Sequence, residues 1–273
     1  MLYYINQSHR FAGVNPCVKM ANPTSSDSSP VAHIGKTLWD KLYEEQKDQW
    51  TNTSVDQELF KFHDILANGK TGLDILIPMC GKTSVLLLLA KKGHRVTGIE
   101  WSELSIKQFF EMNGLGYTTK SCNIGDTEMT VYTANDKSIT IYCGDIFAFK
   151  DDNLGGFDCI FDHGSIGSFE PTKVKRTTYA QLISSFTKPG GRVLLSFFDY
   201  DHSEHPSIPF AVTEDEVTAL YIDDFNSPKL LDEIDATKAV DLFGQRERQD
   251  VSFPIWTLNR FSWKIVLLTK KVV

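Results

Sequence analysis

Across 273 residues no apolar run approaches the roughly 20 that cross a bilayer, and the N-terminus has no apolar core of the kind that opens a secretory signal. A membrane span is thereby set aside, and a soluble chain of cytoplasmic location is expected. There is no basic excess: 28 Lys and Arg stand against 35 Asp and Glu, a formal net charge of −7. Without an electrostatic footprint for nucleic acid or an anionic membrane, the expected partner is a small molecule. The five cysteines, Cys17, Cys80, Cys122, Cys143 and Cys159, are odd in number and include no C-x-x-C pair, and the histidines are scattered. Reduced thiols are expected, with neither a disulfide framework nor a metal site. The chain also has no G-x-G-x-x-G, the glycine pattern that lets backbone approach a pyrophosphate.

The most informative segment present is a turn with a single glycine. The apolar run Leu73-Asp74-Ile75-Leu76-Ile77 ends in Pro78-Met79-Cys80-Gly81-Lys82, opens into a leucine-rich stretch at 85–90, and returns through His94-Arg95-Val96-Thr97-Gly98-Ile99-Glu100. This predicts a strand, a turn, a helix and a second strand. In open α/β sheets a nucleotide lies beyond the carboxyl ends of the strands, with an acid about 20 residues past the turn bonding the ribose hydroxyls. Gly81 and Glu100 stand at about that separation. The lone glycine argues against a nicotinamide dinucleotide and its oxidoreductase chemistry, and for a nucleoside cofactor without phosphates, such as S-adenosylmethionine. Glu100 also reads as a solvated strand-end carboxylate, and Asp145 as a loop cap. Cys80 has no local base to make it a nucleophile and reads better as a small side chain where backbone meets cofactor.

Helical spacing is found over residues 37–50 and 57–67, ahead of the first strand. Strand-like runs at 139–143 and 157–161 each lead to an acid, Asp145 or Asp162. A helix over 179–186, stopped by Lys188-Pro189-Gly190-Gly191, precedes a strand at 192–198. Runs at 230–234 and 261–269, separated by loops, suit a sheet closed by one antiparallel strand. Residues 1–30, with a Ser/Pro-rich stretch at 21–30, are expected to form a flexible leader, and Met20 reads equally well as the working start. Residues 31–273 then form one domain, in which 31–70 make a helical cover over the cofactor site.

Together, residues 73–82, Gly93 to Glu100 with Ser102-Glu103-Leu104-Ser105-Ile106, and Asp199-Tyr200-Asp201 with His205-Pro206 and Pro209-Phe210 resemble the thiopurine S-methyltransferase family. The resemblance extends over about residues 39–269 and is most specific at the Pro-Met-Cys-Gly-Lys turn and at Gly-Ile-Glu-x-Ser-Glu. It implies a Rossmann-like α/β fold, a seven-stranded mostly parallel sheet with helices on both faces and an antiparallel C-terminal strand. The implied reaction is methyl transfer from S-adenosylmethionine to the sulfur of a small thiol or heterocycle by a monomeric enzyme. Halide, sulfide, N- or O-methylation on the same fold, and a non-catalytic cofactor-binding homologue, are the alternatives.

Carried over by position, the resemblance implies that Trp50 anchors a segment folded over the cofactor. Met79 and Gly81 would meet the cofactor at the turn, Glu100 would hold the ribose, and Asp145 with Ile146 would border adenine. Where the family has Asp-Arg-Gly, this chain has Asp162-His163-Gly164. An imidazole exchanges protons near neutrality where a guanidinium does not, so His163 is a candidate both for cofactor binding and for catalysis. Arg248, with Arg246 nearly as good, fits a substrate-side catalytic arginine. Val55, in a segment shorter than the family's, and Tyr200 and Phe210 are the other substrate-side candidates. Acidic thiols are expected to be better methyl acceptors than alcohols.

Overall fold

The first two elements are α1 (Lys36–Glu44) and α2 (Thr53–Ala67). In α2 the residues Val55, Leu59, Phe62 and Leu66 recur at three- and four-residue spacing and are buried as one stripe. The computed structural model describes residues 36–48, 53–149, 154–205, 208–235 and 261–272. The leader expected over 1–30, Trp50, Arg246 and Arg248 lie outside the described residues. The helix expected over 37–50 stops at Glu44 because Gln46 takes a left-handed φ of 54°, which a continuing α-helix does not allow.

The strand–turn–helix–strand pattern is present as β1 (Asp74–Ile77), α3 (Val85–Lys91) and β2 (Arg95–Glu100). Then come α4 (Glu103–Met112), the hairpin β3 (Tyr117–Ile124) and β4 (Thr127–Ala134), and β5 (Ile139–Cys143). After β5 the chain continues through β6 (Phe157–His163), α5 (Lys173–Phe186), β7 (Thr187–Tyr200), α6 (Glu214–Tyr221), β8 (Lys229–Asp235) and β9 (Phe261–Thr269). The Pro189-Gly190-Gly191 stretch, expected to end a helix ahead of a strand, lies inside β7. Its partner register jumps from Phe157↔Thr187 to Cys159↔Arg192, and Gly190 takes φ 74°, so the segment is an irregularity in the strand.

All nine strands among the described residues join one sheet in the order β3-β4-β5-β2-β1-β6-β7-β9-β8. The five central strands, β5 to β7, are parallel, and β9 runs antiparallel to both β7 and β8. The expected seven-stranded frame is therefore embedded in a larger sheet. The correction is the β3–β4 hairpin, added beyond β5. It turns at Gly125-Asp126, and the φ of 57° at Gly125 supplies the positive dihedral that a two-residue hairpin needs.

Alternation along the parallel strands divides the core between the two faces of the sheet. Ile75, Ile77, Cys159 and Phe161 point towards α2, α3 and α4, where they meet Leu59, Phe62, Leu86 and Phe109. Leu76, Ile160, Val193 and Leu195 point the other way, towards Tyr179, Ile183 and Phe186 of α5 and Val217 and Tyr221 of α6. Burial on both faces explains why these strands read as near-continuous apolar runs, and it leaves only the strand ends for polar chemistry. No described helix is long and apolar enough to cross a membrane.

Candidate active site

Four neighbouring parallel strands, β5, β2, β1 and β6, finish on one edge of the sheet. The side chains singled out in the sequence lie at these ends: Asp145 and Ile146 just after β5, Glu100 at the end of β2, Met79 and Gly81 just after β1, and His163 at the end of β6. Hydrogen bonds tie the ends together. The Gly144 amide donates to the Glu100 carbonyl at 2.9 Å, the Cys80 amide to the Ile99 carbonyl at 3.0 Å, and the Ser165 hydroxyl to the Pro78 carbonyl at 3.3 Å.

The turn after β1 is shaped by two left-handed residues, Met79 (φ 46°) and Gly81 (φ 54°). For a residue with a long side chain such as Met79, that conformation costs about 1 kcal/mol or more and persists only where its surroundings fix it. Its effect is to aim the Gly81 amide at Glu100 Oε2, at 2.8 Å. The opposite oxygen, Oε1, accepts from the Ser102 amide at 2.7 Å. A carboxylate has about four acceptor sites, so capacity remains for the hydroxyls of a ligand. Burial raises the Glu100 carboxyl above its usual range, against the pull of the Ser102, Gly81 and Trp101 amides. Gly98 lets the turn fold back onto β2, since a Cβ there would stand 2.7 Å from Cys80 Sγ. Cys80 is buried, and desolvation together with the Glu100 charge pushes its thiol well above the usual range, so it carries no thiolate for nucleophilic work.

Lys82, the only cation of the turn, is already committed. Its ammonium binds Asp48 Oδ2 at 2.9 Å and Gln108 Oε1 at 2.9 Å and lies over the Tyr43 ring. A phosphate placed here would meet a buried carboxylate and no available lysine. A nucleoside diol would meet hydrogen-bond acceptors. The donor set thus fits S-adenosylmethionine and does not fit a dinucleotide.

Asp145 and Ile146 stand at the far end of this row. Asp145 Oδ1 accepts from the Phe147 amide at 3.0 Å and opens the short 3₁₀ turn Ile146–Ala148. At the other end, alternation in β6 separates Asp162 from His163. Asp162 is fully buried on the α5 side, accepting from Tyr179 Oη at 2.8 Å and the Ser165 amide at 3.2 Å, and burial pushes its carboxyl up to about 6. His163 points to the α2 side. Its Nδ1 lies 3.3 Å from Glu58 Oε2 and 3.3 Å from Ser196 Oγ, and its ring packs 4.8 Å from that of Trp263. Glu58 in turn accepts from Ser196 Oγ at 2.9 Å and from Trp263 Nε1 at 2.9 Å.

Sequence reasoning assigned no role to Glu58, Ser196 or Trp263. The signal for Glu58 was present, because it is a charged residue on the apolar stripe of α2, three residues after Val55 and four before Phe62. Val55 is buried in the core under α2. The Tyr200 hydroxyl donates to the carbonyls of His205 (3.1 Å) and Pro209 (2.5 Å), which ties down the segment after β7. The Phe210 amide donates to Gly167 at 2.7 Å, bringing that segment beside the loop after β6.

Known proteins resemble this chain in sequence and in fold. The family described as Thiopurine S-methyltransferase (TPMT) matches residues 34–260. Thiopurine S-methyltransferase of Bos taurus is 32% identical over 235 residues, covering 84% of this chain and 89% of that protein. Among solved structures, the [4+2]-cyclase SpnF superposes with a TM-score of 0.56 at 16% identity, covering 87% of this chain and 96% of its own. The phosphoethanolamine N-methyltransferase 2 of Haemonchus contortus, bound to phosphomonomethylethanolamine and S-adenosylhomocysteine, gives a TM-score of 0.56 at 13% identity. That match covers 79% of this chain but only 52% of the longer enzyme.

Proposed function

We propose, for a chain that belongs to the thiopurine S-methyltransferase family and is therefore an S-adenosylmethionine-dependent methyltransferase, that the methyl acceptor is the sulfur of a small thiol. One observation supports the thiol over harder nucleophiles. The imidazole at the end of β6 sits among the aromatic rings of Phe161 and Trp263, with Phe198 packed on Trp263. A polarizable sulfur is favoured next to aromatic rings, whereas a hydroxyl or amine there would lose hydration.

When bound, S-adenosylmethionine supplies an electrophilic methyl group on a sulfonium. The residues of the chain divide the remaining work along the row of strand ends. Adjacent strands are about 4.8 Å apart, so four ends span roughly 14 Å, enough for an adenosine and its amino-acid tail laid across them. Asp145 and Ile146 border adenine, Glu100 takes the ribose hydroxyls, and Met79 and Gly81 line the turn beneath the methionine part. His163 then stands at the acceptor end, and Tyr200 holds the segment that carries Phe210. Trp50 and α1 are assigned to the cover over the cofactor, and Arg248 to the acceptor. Alignment of the sulfur with the methyl group, and exclusion of water, can lower the barrier by roughly 7–11 kcal/mol.

The reading is tested by incubating the full chain with methyl-labelled S-adenosylmethionine and matched thiophenols and phenols. Label is expected on the thiophenols at rates at least about tenfold higher, and equal rates across the pairs would rule out a sulfur preference. Glu100→Ala serves as the control. Loss of its charge-assisted hydrogen bonds should weaken cofactor binding in calorimetry by on the order of 10²-fold, and unchanged affinity would remove Glu100 from the site.

A further inference from the structure

Resting on that reading of the site, the geometry points to Glu58 as a positioning residue that makes His163 a general base, so that the enzyme takes neutral, protonated thiols as well as thiols that are already ionised. The proton on Ser196 Oγ sets the tautomer of the imidazole. That hydroxyl lies 2.9 Å from Glu58 Oε1 and 3.4 Å from the Asp162 carbonyl, both acceptors only, so its single hydrogen is directed to one of them. The Ser196 oxygen facing His163 Nδ1 at 3.3 Å is then an acceptor as well. Nδ1 also faces Glu58 Oε2, at 3.3 Å. With acceptors on both sides, Nδ1 carries the ring hydrogen and Nε2 has the free lone pair.

The carboxylate that fixes this tautomer is itself fixed. Glu58 is buried, its side chain 4% exposed, and Trp263 Nε1 holds Oε2 from the side opposite α2. His163 is the more open member, its side chain 15% exposed, and Nε2 makes no hydrogen bond with any described residue. The carboxylate of the neighbouring Asp162 points to the opposite face of β6, where Tyr179 and the Ser165 amide bind it. A buried carboxylate, an oriented imidazole and an available Nε2 are the parts of a general base.

The step balances without a further reagent. Nε2 takes the S–H proton, and the sulfur electron pair forms the new bond to the methyl carbon. The bond from that carbon to the sulfonium sulfur breaks, and its electron pair stays on that sulfur as a neutral thioether. The imidazolium then passes its proton to water, so one proton is released for each methyl transferred. A guanidinium at position 163 would stabilise a thiolate but could not accept a proton, being always charged. Replacement of the arginine seen in the resembling family by histidine, together with a carboxylate on α2 to orient it, therefore widens the accepted class towards less acidic thiols.

The test compares the full-length protein with Glu58→Gln and His163→Arg on two probes at pH 7: 4-nitrothiophenol, ionised there, and benzyl mercaptan, mostly protonated. Glu58→Gln can offer an amide N–H to Nδ1, which would reverse the tautomer. Turnover of benzyl mercaptan is expected to fall on the order of 10²-fold in both variants, and its ratio to 4-nitrothiophenol turnover to fall at least about tenfold. In parallel, ¹⁵N spectra of the imidazole in the unsubstituted protein should show a protonated Nδ1 and a bare Nε2, a readout that needs neither turnover nor a folded variant. An equal loss on both probes, or a protonated Nε2 in the unsubstituted protein, would overturn the dyad. If the unsubstituted protein methylates amines or phenols but no thiol, the thiol reading fails, while the spectra still decide the tautomer.

Discussion

Asp162 is a carboxylate kept where water does not reach it, and the consequence can be measured as a pH dependence. Its carboxyl is pushed up to about 6 by burial, against 3.8 ordinarily. The unfolded chain therefore gives up this proton at lower pH than the folded one. Between about pH 4 and 6 the folded state binds the extra proton, so stability falls as pH rises through that window and levels off above it. A displacement of roughly two units corresponds to about 3 kcal/mol. Asp162→Asn removes this dependence. Urea midpoints at pH 4 and pH 7 should show the variant gaining on the unsubstituted protein by up to that amount, and a difference that does not change with pH would contradict the assignment. Individual residues were unevenly legible in the sequence. Glu100 was readable because strand ends and ribose recognition impose a spacing. Glu58 was passed over because its partners Ser196 and Trp263 lie more than 130 residues away in the chain.

Among elements, the parallel core was legible wherever both faces of a strand are buried, since an apolar run then needs no knowledge of its neighbours. The β3–β4 hairpin was missed although its signal is local. Gly125-Asp126 lies between Thr-, Tyr- and Val-containing runs, but β3 is almost wholly exposed and lacks an apolar alternation. Helix α4 is opened by Ser102, whose hydroxyl accepts from the Ser105 amide at 3.5 Å and donates to Asp40 at 2.5 Å, a second contact that no local pattern announces. Where elements join, buried polar pairs set the pH response. The Leu73 amide donates to His94 Nδ1, His94 Nε2 meets His63 Nε2 at 3.0 Å, and His63 Nδ1 meets Asp64 at 2.8 Å. This chain of partners links α2 to the starts of β1 and β2. Burial, with the charges of His63 and Lys92, lowers the affinity of His94 for a proton. The unfolded state then binds protons first, so this contribution is intact above about pH 6.5 and is lost as pH falls below it. His94→Gln should flatten the decline in unfolding midpoint between pH 7.5 and 5.5, and an unchanged slope would discount the pair.

For the molecule as a whole, the described N-terminal segment is held to the strand-end edge by two polar contacts, Asp40 with Ser102 and Asp48 with Lys82. Because Lys82 and Asp48 are both largely buried, removing one partner leaves the other charged and unpaired, an arrangement that typically costs 3–5 kcal/mol. Lys82→Met should speed amide hydrogen exchange over residues 36–48 while leaving β1 and β2 protected, whereas uniform acceleration would mean that the pair supports the whole core. The fold itself does not name the chemistry, as the likeness to a [4+2]-cyclase makes plain. What the proposed site adds is a division of labour along the sheet. Among the described residues, the proposed cofactor contacts Asp145, Ile146, Glu100, Met79 and Gly81 follow β5, β2 and β1, and the proposed acceptor contacts His163, Tyr200 and Phe210 follow β6 and β7. A lineage can therefore exchange one substrate for another by altering one side of the molecule, without renegotiating its grip on the methyl donor.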